Sequence, residues 1–313
     1  MREKRIVLEG MVNRGYFLPP LLPADCFLSL MNVSSIDIRA LSTHDELEAC
    51  VALQRDTWGQ EFSDVVPVSI LKVSQRIGGV AVGAFDQHGT LLGFVFGMTG
   101  IERGQIVHWS DMLAVRPSAR NLGLGRRLKE YQRQMVREVG ATVIYWTYDP
   151  LVARNAHLNF NRLGVRLAEY VEDMYGITDS ALHGGMPTDR LIVAWPTRDD
   201  DSNQRLLEAE RAIHSPDCQQ GPVVTAEWID AVKGAAILPY SVRIEVPANA
   251  ERLLQSDATA AGAWRRSVRS AFEWSLAAGY DVTSFALEEE ADRGFYLLTR
   301  PSRQAVQSGP MRV

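Results

Sequence analysis

The sequence is poor in the residues that cross-link small proteins or hold metal ions. Its 3 cysteines are far apart and odd in number, which excludes a disulfide framework and a Cys-x-x-Cys metal site. Its 6 histidines are scattered without i, i+4 pairs, so we predict no metal site. Sparse cysteine is typical of a reducing compartment, and we expect a cytoplasmic protein.

Neither sign of charge dominates. The chain has 33 basic and 38 acidic residues, a net charge of -5, unlike proteins that bind the nucleic-acid backbone. It also lacks a long apolar run, because prolines interrupt the apolar residues 16–31, a stretch too short to span a bilayer. We therefore predict neither a nucleic-acid nor a membrane partner. With 46% hydrophobic residues in 313, the chain can build one large or two unequal domains.

The first 35 residues have two interpretations. A basic start followed by an apolar stretch is typical of a signal peptide, but Glu9, Asn13 and Arg14 interrupt the hydrophobic segment that one requires. We predict that residues 1–35 are a disordered leader or the result of a start codon assigned too early, with Met31 as the alternative start.

From residue 36 the apolar periodicity predicts a mixed α/β protein. Residues 36–196 are expected to form one domain, 197–222 a linker with a short polar helix, 223–300 a small domain and 301–313 a disordered tail. The strands of the first domain are predicted at Ile36–Leu41, Val80–Phe85, Leu91–Met98, Gln105–Val115, Thr142–Tyr148, Val165–Tyr175 and Leu191–Trp195. Its helices are predicted at His44–Trp58, Pro67–Ile77, Gly125–Val139 and Val152–Leu163.

The small C-terminal domain is predicted to be a β-α-β-β unit. Its strands are expected at Val242–Val246, Val282–Leu287 and Gly294–Thr299, and its helix at Asp257–Ala278. The buried stripe of that helix is predicted to contain Trp264, Val268, Phe272, Ser275 and Leu276. Its arginines Arg265, Arg266 and Arg269 are expected to be solvated.

One segment, Leu113–Leu128, joins a strand, a basic glycine-bearing loop and a helix N-terminus. Backbone N–H groups and the positive end of the helix dipole there can bind an anion. Gly123 and Gly125 allow the main chain to approach a phosphate closely. Arg120, Arg126 and Arg127 add positive charge, so we predict a pyrophosphate-binding loop.

Two other phosphate loops are excluded. A Walker A loop needs Lys and then Ser or Thr after its last glycine, but Gly125 is followed by Arg126 and Arg127. A Rossmann loop needs a third glycine where this sequence has Leu128, and its first glycine directly at the strand end.

With these residues the sequence resembles the GNAT acyltransferase superfamily. The family's pyrophosphate pattern, Arg/Gln-x-x-Gly-x-Gly/Ala, is matched by Arg120-x-x-Gly123-x-Gly125, preceded by Val115-x-Pro117. The order of predicted elements from 36 to 196, about half of the chain, is similar to the whole family domain. The resemblance implies an α+β fold with a central mixed, largely antiparallel sheet flanked by helices.

The same resemblance implies acetyl-CoA, or another acyl-CoA, as co-substrate. Its pantetheine arm would lie between the fourth and fifth strands, bonded to backbone groups of Leu113 and Val115. An N–H near Leu113 would stabilise the oxyanion. The residues implied at the pyrophosphate are Arg120, Asn121, Leu122, Gly123, Leu124, Gly125 and Arg126.

The catalytic residues are less well defined by the sequence. Family members often use a carboxylate of the fourth strand as base, which suggests Asp111, expected on the same strand face as Leu113. A structural role for Asp111 remains open, and His108 is the alternative base. The family's usual tyrosine acid is replaced by Phe160, and its helix-starting Asn is offset to Asn155.

Tyr148, Tyr175 or solvent are the remaining candidate proton donors. The acceptor is expected to be a small-molecule amine. Acceptor specificity in the family comes from the first two helices and their connection, here residues 58–67 with Trp58, Glu61, Asp64 and Pro67. The two carboxylates either indicate a cationic amine or belong to a solvated loop, and Trp146 and Tyr148 are further candidates to line the pocket. A silent acyl-CoA sensor, or acylation of protein lysine or of oxygen, remains an alternative. The C-terminal unit is either a degenerate second half of the fold or an unrelated domain, and a homodimer is left open.

Overall fold

The computed structural model describes residues 36–176, 186–288 and 291–300. Residues from Asp37 onward group into one compact unit. Its larger sheet has the strand order β1-β2-β3-β4-β5-β7-β6, with β4 and β5 parallel and the other neighbours antiparallel. The strands are β1 Asp37–Ala40, β2 Val80–Phe85, β3 Leu91–Glu102, β4 Gln105–Val115, β5 Val143–Tyr148, β6 Arg166–Val171 and β7 Arg190–Pro196.

Helices cover both faces of this sheet. They are α1 His44–Trp58, α2 Val68–Arg76, α3 Leu124–Val139, and α4, which begins as an α-helical turn, Ala153–Ala156, and continues as a π-helix, His157–Leu163. Leucines of α1 and α2 pack with Phe94 and Phe96 of β3 in one core cluster. On the opposite face α3 contacts His108 and Ser110 of β4.

The segment predicted to be a linker folds into two helices, α5 Asp199–His214 and α6 Pro216–Gln219. Helix α5 is longer than the short polar helix expected, and it buries Ala209 and Ala212 on one side. Burial of these small side chains explains why the segment packs instead of remaining an extended connection. The domain boundaries themselves remain a prediction.

A second sheet, ordered β8-β10-β9, follows. Its strands are β8 Ser241–Pro247, β9 Asp281–Glu288 and β10 Arg293–Thr299, and the helices are α7 Ala226–Ala231, α8 Ala250–Ser256 and α9 Ala258–Ala277. Val268, Phe272 and Ser275 of α9 are buried, as the stripe predicted. The expectation that Arg265 is solvated is wrong, because this residue is 4% exposed.

Two arginines of α9 bind carboxylates that lie directly after β5 and directly before β7. Arg265 donates to both carboxylate oxygens of Asp149, at 2.7 and 2.6 Å. Arg269 donates to both oxygens of Asp189, at 2.9 and 2.6 Å. Tyr296 of β10 donates to the carbonyl of Pro150 at 2.8 Å. The C-terminal unit is therefore bonded to the chain directly after β5.

These elements confirm the predicted fold class: a mixed, largely antiparallel sheet flanked by helices, with a small C-terminal sheet. The predicted leader, 1–35, and tail, 301–313, lie outside the described residues. Among the described helices, none combines the length and apolar character needed to cross a bilayer.

Candidate active site

The parallel strands β4 and β5 separate after a short stretch of pairing. They are paired only from Val107 with Val143 to Trp109 with Tyr145. Beyond that point β5 stays paired with β7 to its end, while β4 continues to Val115 bonded to β3 alone. The edge of β4 that includes Leu113 and Val115 therefore has free backbone groups, which an extended ligand can bind.

The loop between β4 and α3 places backbone N–H groups beside this opening. Asn121 and Gly123 both adopt left-handed conformations, with φ of 65° and 70°, and no side chain caps α3. The first intrahelical bond runs from Arg127 N to Gly123 O, so the amides of Leu124, Gly125 and Arg126 have no intrahelical acceptor. Such a helix end, uncapped and positive, is suited to a phosphate.

Space around the two glycines also fits a bound anion. A Cβ atom added at Gly123 would meet nothing within 4 Å, so the loop is open to solvent there. A Cβ at Gly125 would lie 3.8 Å from Leu113 and 3.9 Å from Leu158. Gly125 thus lies where β4, α3 and α4 approach one another. Of the arginines, Arg120 is exposed and Arg126 donates to Glu130 at 2.7 Å.

Asp111 lies in a β-bulge of β4. The pairing with β3 passes from Gly97–Ser110 to Phe96–Met112, which leaves Asp111 as the extra residue. The bulge breaks the alternation on which the sequence argument relied: Leu113 lies near α3, whereas Asp111 interacts with Asp64 of the α1–α2 loop. The expectation that Asp111 and Leu113 share a face is therefore wrong.

The environment of Asp111 suits a proton acceptor. Its side chain reaches solvent, yet the surrounding protein raises the pKa of its carboxyl by desolvation, and the Asp64 carboxylate raises it further. A carboxylate with a raised pKa is a stronger base than an ordinary aspartate, which is what general-base catalysis requires. The α1–α2 loop carries Glu61 and Asp64 and is anchored by stacking of Trp58 on Phe62, with ring centroids 5.9 Å apart.

His108 has a structural environment. Thr99 donates to the Gly78 carbonyl at 2.6 Å, so its oxygen accepts from His108 Nδ1 at 2.9 Å. Gln132 in turn donates to His108 Nε2 at 3.0 Å. Burial, and then the nearby Lys129, lower the pKa of His108 to about 3. Both ring nitrogens are thus occupied in a fully buried, neutral ring, which argues against the alternative base.

Helix α4 changes its hydrogen-bonding pattern along its length. Its second part is a π-helix, in which Gly164 N bonds back to Asn159 O, and a π-turn changes which side chains share a face. Phe160 is buried, 1% exposed, and packs edge-on against Tyr296. The π-helical register could not be read from the sequence.

Tyr148 and Trp146 are directed into the protein interior. Tyr148 is 5% exposed, and its hydroxyl lies 3.3 Å from that of Tyr296. Because Tyr296 donates to Pro150 O, Tyr148 is the donor of this pair, and burial raises its pKa. Trp146 donates to Asn159 at 3.3 Å. The role of Tyr148 as acid remains a prediction that these contacts do not favour.

The residues on the opposite face of β5 are not among the candidates predicted from the sequence. Tyr145 and Thr147 are half-buried; the Tyr145 ring lies 6.5 Å from that of Trp109, and Thr147 is bonded to Tyr175 at 3.1 Å. The alternation of side chains along β5 could have identified them, because Trp146 and Tyr148 share one face of the strand and Tyr145 and Thr147 share the other.

Strand order, separated parallel strands and an uncapped helix N-terminus together define a candidate site for an extended ligand that carries phosphate. Among the described residues, no group of acidic, histidine and cysteine side chains could hold a metal ion. Residues 47–164 match the sequence model of the acetyltransferase (GNAT) family. The resemblance to the GNAT family that the motif predicted is thus confirmed for this segment.

Solved structures of such enzymes resemble the chain. The ribosomal-protein-S18-alanine N-acetyltransferase from Escherichia coli is 20% identical, with a TM-score of 0.40, over 52% of this chain and 94% of that one. An aminoglycoside 6'-N-acetyltransferase complexed with coenzyme A is 18% identical, with a TM-score of 0.39, over 52% and 97%. Arabidopsis thaliana NAA60 with a bisubstrate analogue is 16% identical, with a TM-score of 0.41, over 51% and 98%. No curated protein sequence matches.

Proposed function

We propose that this protein transfers the acyl group of an acyl-CoA, foremost acetyl-CoA, to the amine of a small molecule. The observation that supports this most is the combination of free amides at Leu124, Gly125 and Arg126 with the unpaired edge of β4. The first can bind a pyrophosphate, and the second can bind a pantetheine arm through Leu113 and Val115.

In this proposal the acceptor nitrogen attacks the thioester carbonyl directly. A backbone N–H near Leu113 stabilises the oxyanion, and Asp111 accepts the proton from the nitrogen. The carboxylates of Asp111 and Asp64 favour an acceptor that arrives as a cation. The half-buried aromatic rings of Trp109 and Tyr145 offer it an apolar wall.

A cytoplasmic location is part of the same proposal. Cys50 and Cys218 are buried free thiols, and burial raises the pKa of Cys50 to about 12. Unpaired thiols of this kind are compatible with a reducing compartment.

The phosphate-binding loop is tested by a matched pair of variants, Gly123→Asp and Gly123→Asn. Both residues tolerate a left-handed conformation similarly and have nearly the same size, but only aspartate adds a negative charge. We expect Gly123→Asp to weaken CoA binding at least about tenfold relative to Gly123→Asn, because one carboxylate then faces phosphates. Calorimetric titration measures both affinities, and Arg120→Glu should act in the same direction. Equal affinities for the two Gly123 variants would contradict the assignment.

Activity is tested by following thiol release from acetyl-CoA with a panel of amines. If turnover is found, we expect Asp111→Asn to lower kcat by about a hundredfold or more, since it removes the base but keeps the shape. The control is Asp64→Asn, which removes the neighbouring charge only and should lower kcat much less. Unchanged kcat in Asp111→Asn would contradict its role as base.

One observation favours a second candidate function, a silent acyl-CoA sensor: Phe160 offers no proton donor where family members carry tyrosine. Tight CoA binding without turnover on any amine would support the sensor. A mass increase on a protein partner, measured by intact-mass spectrometry, would instead show acylation of a protein.

A further inference from the structure

A buried lysine bridges β4 and β5 at the point where they separate. Lys129 extends from α3 and is 4% exposed. Its Nζ lies 2.7 Å from Ser110 Oγ on β4 and 3.8 Å from the centre of the Trp146 ring on β5. Ser110 and Trp146 are the first residues beyond the last strand pair, Trp109 with Tyr145. The amine therefore lies at the closed end of the gap between the two strands.

Nothing in the described part of the chain neutralises a charge on this amine. On the side of β4 and β5 that carries Ser110 and Trp146, the titratable side chains are His108 and Tyr148, and His157 lies on α4. Burial lowers the pKa of both histidines and raises that of Tyr148, so all three are uncharged near neutral pH.

Asp111 of β4 and Tyr145 of β5 lie on the other side of these strands, towards Asp64 and Trp109. Arg154 and Arg162 of α4 are cations and cannot neutralise an ammonium. On α3 itself, Arg126 is paired with Glu130. Burial lowers the pKa of Lys129 well below its ordinary value.

The residue type is informative because the chain has few lysines, at positions 4, 72, 129 and 233, among its 33 basic residues. An arginine in this position would stay charged, whereas a lysine can gain and lose its proton. One helical turn away, Gln132 Oε1 is buried without a hydrogen-bond partner among the described residues. This polar layer under the gap is thus incompletely bonded, which is typical of functional sites.

We propose that Lys129 is a catalytic residue that binds the sulfur of CoA and donates a proton to it as it leaves. This inference rests on the proposed acyl-CoA site. A pantetheine arm that enters between β4 and β5 from the α3 N-terminus brings its sulfur towards the closed end, where Nζ lies. The face of Trp146 supports the ammonium form when it arises.

The reaction balances with this assignment. The acceptor nitrogen forms the new C–N bond, and its surplus proton passes to Asp111 and then to solvent. As the carbonyl re-forms, the C–S bond breaks and sulfur keeps the electron pair. Lys129, which has taken a proton from solvent, donates it to sulfur, so that the products are the amide and CoA thiol and the amine is neutral again. A buried ammonium is a stronger acid than free lysine, which favours this transfer.

The test measures the thiol of bound CoA rather than turnover. A pH titration of thiolate absorbance in the ultraviolet gives the thiol pKa with wild type, Lys129→Met and Lys129→Gln. We expect wild type to lower the pKa of the bound thiol by about one pH unit relative to free CoA, because a thiolate beside Nζ favours protonation of the amine and is stabilised by the ammonium that forms. Both variants should lose this shift, whereas Lys233→Met, at an exposed lysine, should keep it.

Desulfo-CoA, which lacks the sulfur, separates the two proposals. Its affinity should be the same within about twofold in wild type and Lys129→Met, because Lys129 is proposed to contact sulfur alone. If wild type does not bind desulfo-CoA, the acyl-CoA site itself is wrong. If it binds, but the thiol pKa of bound CoA in wild type equals that of free CoA, the role of Lys129 is overturned. That wild-type titration decides even if a variant fails to fold.

Discussion

Two buried basic residues, Lys129 and Arg265, have opposite environments. Arg265 of α9 makes two hydrogen bonds to Asp149, and Arg190 approaches the same carboxylate at 3.9 Å. Lys129 of α3 has a serine hydroxyl and the face of a tryptophan, with no carboxylate partner among the described residues. Arg265 thus has a carboxylate partner within the described part of the protein, and Lys129 has none.

This difference distinguishes buried polar groups that stabilise the fold from those that are available to a ligand or to a proton. Burying a charge costs several kcal/mol unless a partner offsets it, so a paired arginine fixes the position of the chain after β5. An unpaired amine can instead exchange a proton or receive a ligand. The same contrast applies to backbone groups, because α1 begins with a capping box formed by Thr43 and Glu46, whereas α3 begins without any cap.

The largest expected effect concerns the ion pair between Arg265 and Asp149. Arg265→Met should lower the free energy of unfolding by about 3–5 kcal/mol, because it leaves the Asp149 carboxylate without its main partner in a largely buried position. Urea unfolding measures the loss. The control is Arg252→Met, whose ion pair with Asp292 is 70% and 62% exposed and should cost at most about 1 kcal/mol. Similar losses of unfolding free energy in both variants would contradict a stabilising role of the buried ion pair beyond that of an exposed one.

The next effect concerns His108, which lies near Lys129, and it is a loss of folding stability at acid pH. The folded protein holds His108 neutral with a pKa of about 3, against an ordinary value of 6.5. Between these values the unfolded chain binds a proton that the folded protein does not, so stability is lost as pH falls through this window. We expect about 2–4 kcal/mol more loss from pH 6.5 to pH 3 in wild type than in His108→Gln.

Urea unfolding at a series of pH values gives this difference. His88→Gln, at an exposed histidine, is the control and should follow wild type. A pH dependence of His108→Gln equal to that of wild type would show that His108 is not the group responsible.

The regions around Lys129 and Arg265 show which features can be predicted from the sequence. The left-handed turn and the uncapped start of α3 could be predicted because the signal is local: Arg120, Gly123 and Gly125 lie within six residues at the start of this helix. Phosphate binding there remains a prediction. The positions of most strands and helices along the chain followed from periodicity. The pairing of Arg265 with Asp149 could not be predicted, because the two residues are 116 positions apart and periodicity says only which helix face is apolar.

The bulge and the π-helix could not be predicted for a related reason. One extra residue at Asp111 changes which strand residues share a face, and only the pairing with β3 reveals it. Gly97 did carry a signal, since a Cβ there would lie 2.3 Å from His108 Nε2, but a glycine in a strand indicates a close approach without naming the neighbour. The burial of Lys129 could not be predicted, because helical spacing alone does not place a single polar residue of α3 under the sheet.

The smallest expected effect concerns Tyr148, the last residue of β5. Its hydroxyl donates to Tyr296 at 3.3 Å, so Tyr148→Phe should remove one long hydrogen bond and cost about 1 kcal/mol of unfolding free energy. Tyr296→Phe should cost more, since it also leaves the Pro150 carbonyl without its donor, and the double variant should cost less than the sum of the two.

We expect kcat in Tyr148→Phe to stay within about twofold of wild type, because a hydroxyl used inside the protein gives no proton to a leaving group. Unfolding curves and thiol-release kinetics on the same samples measure both quantities. A fall in kcat of about tenfold or more at unchanged stability would instead assign the acid to Tyr148 and place this residue with Lys129 on the functional side.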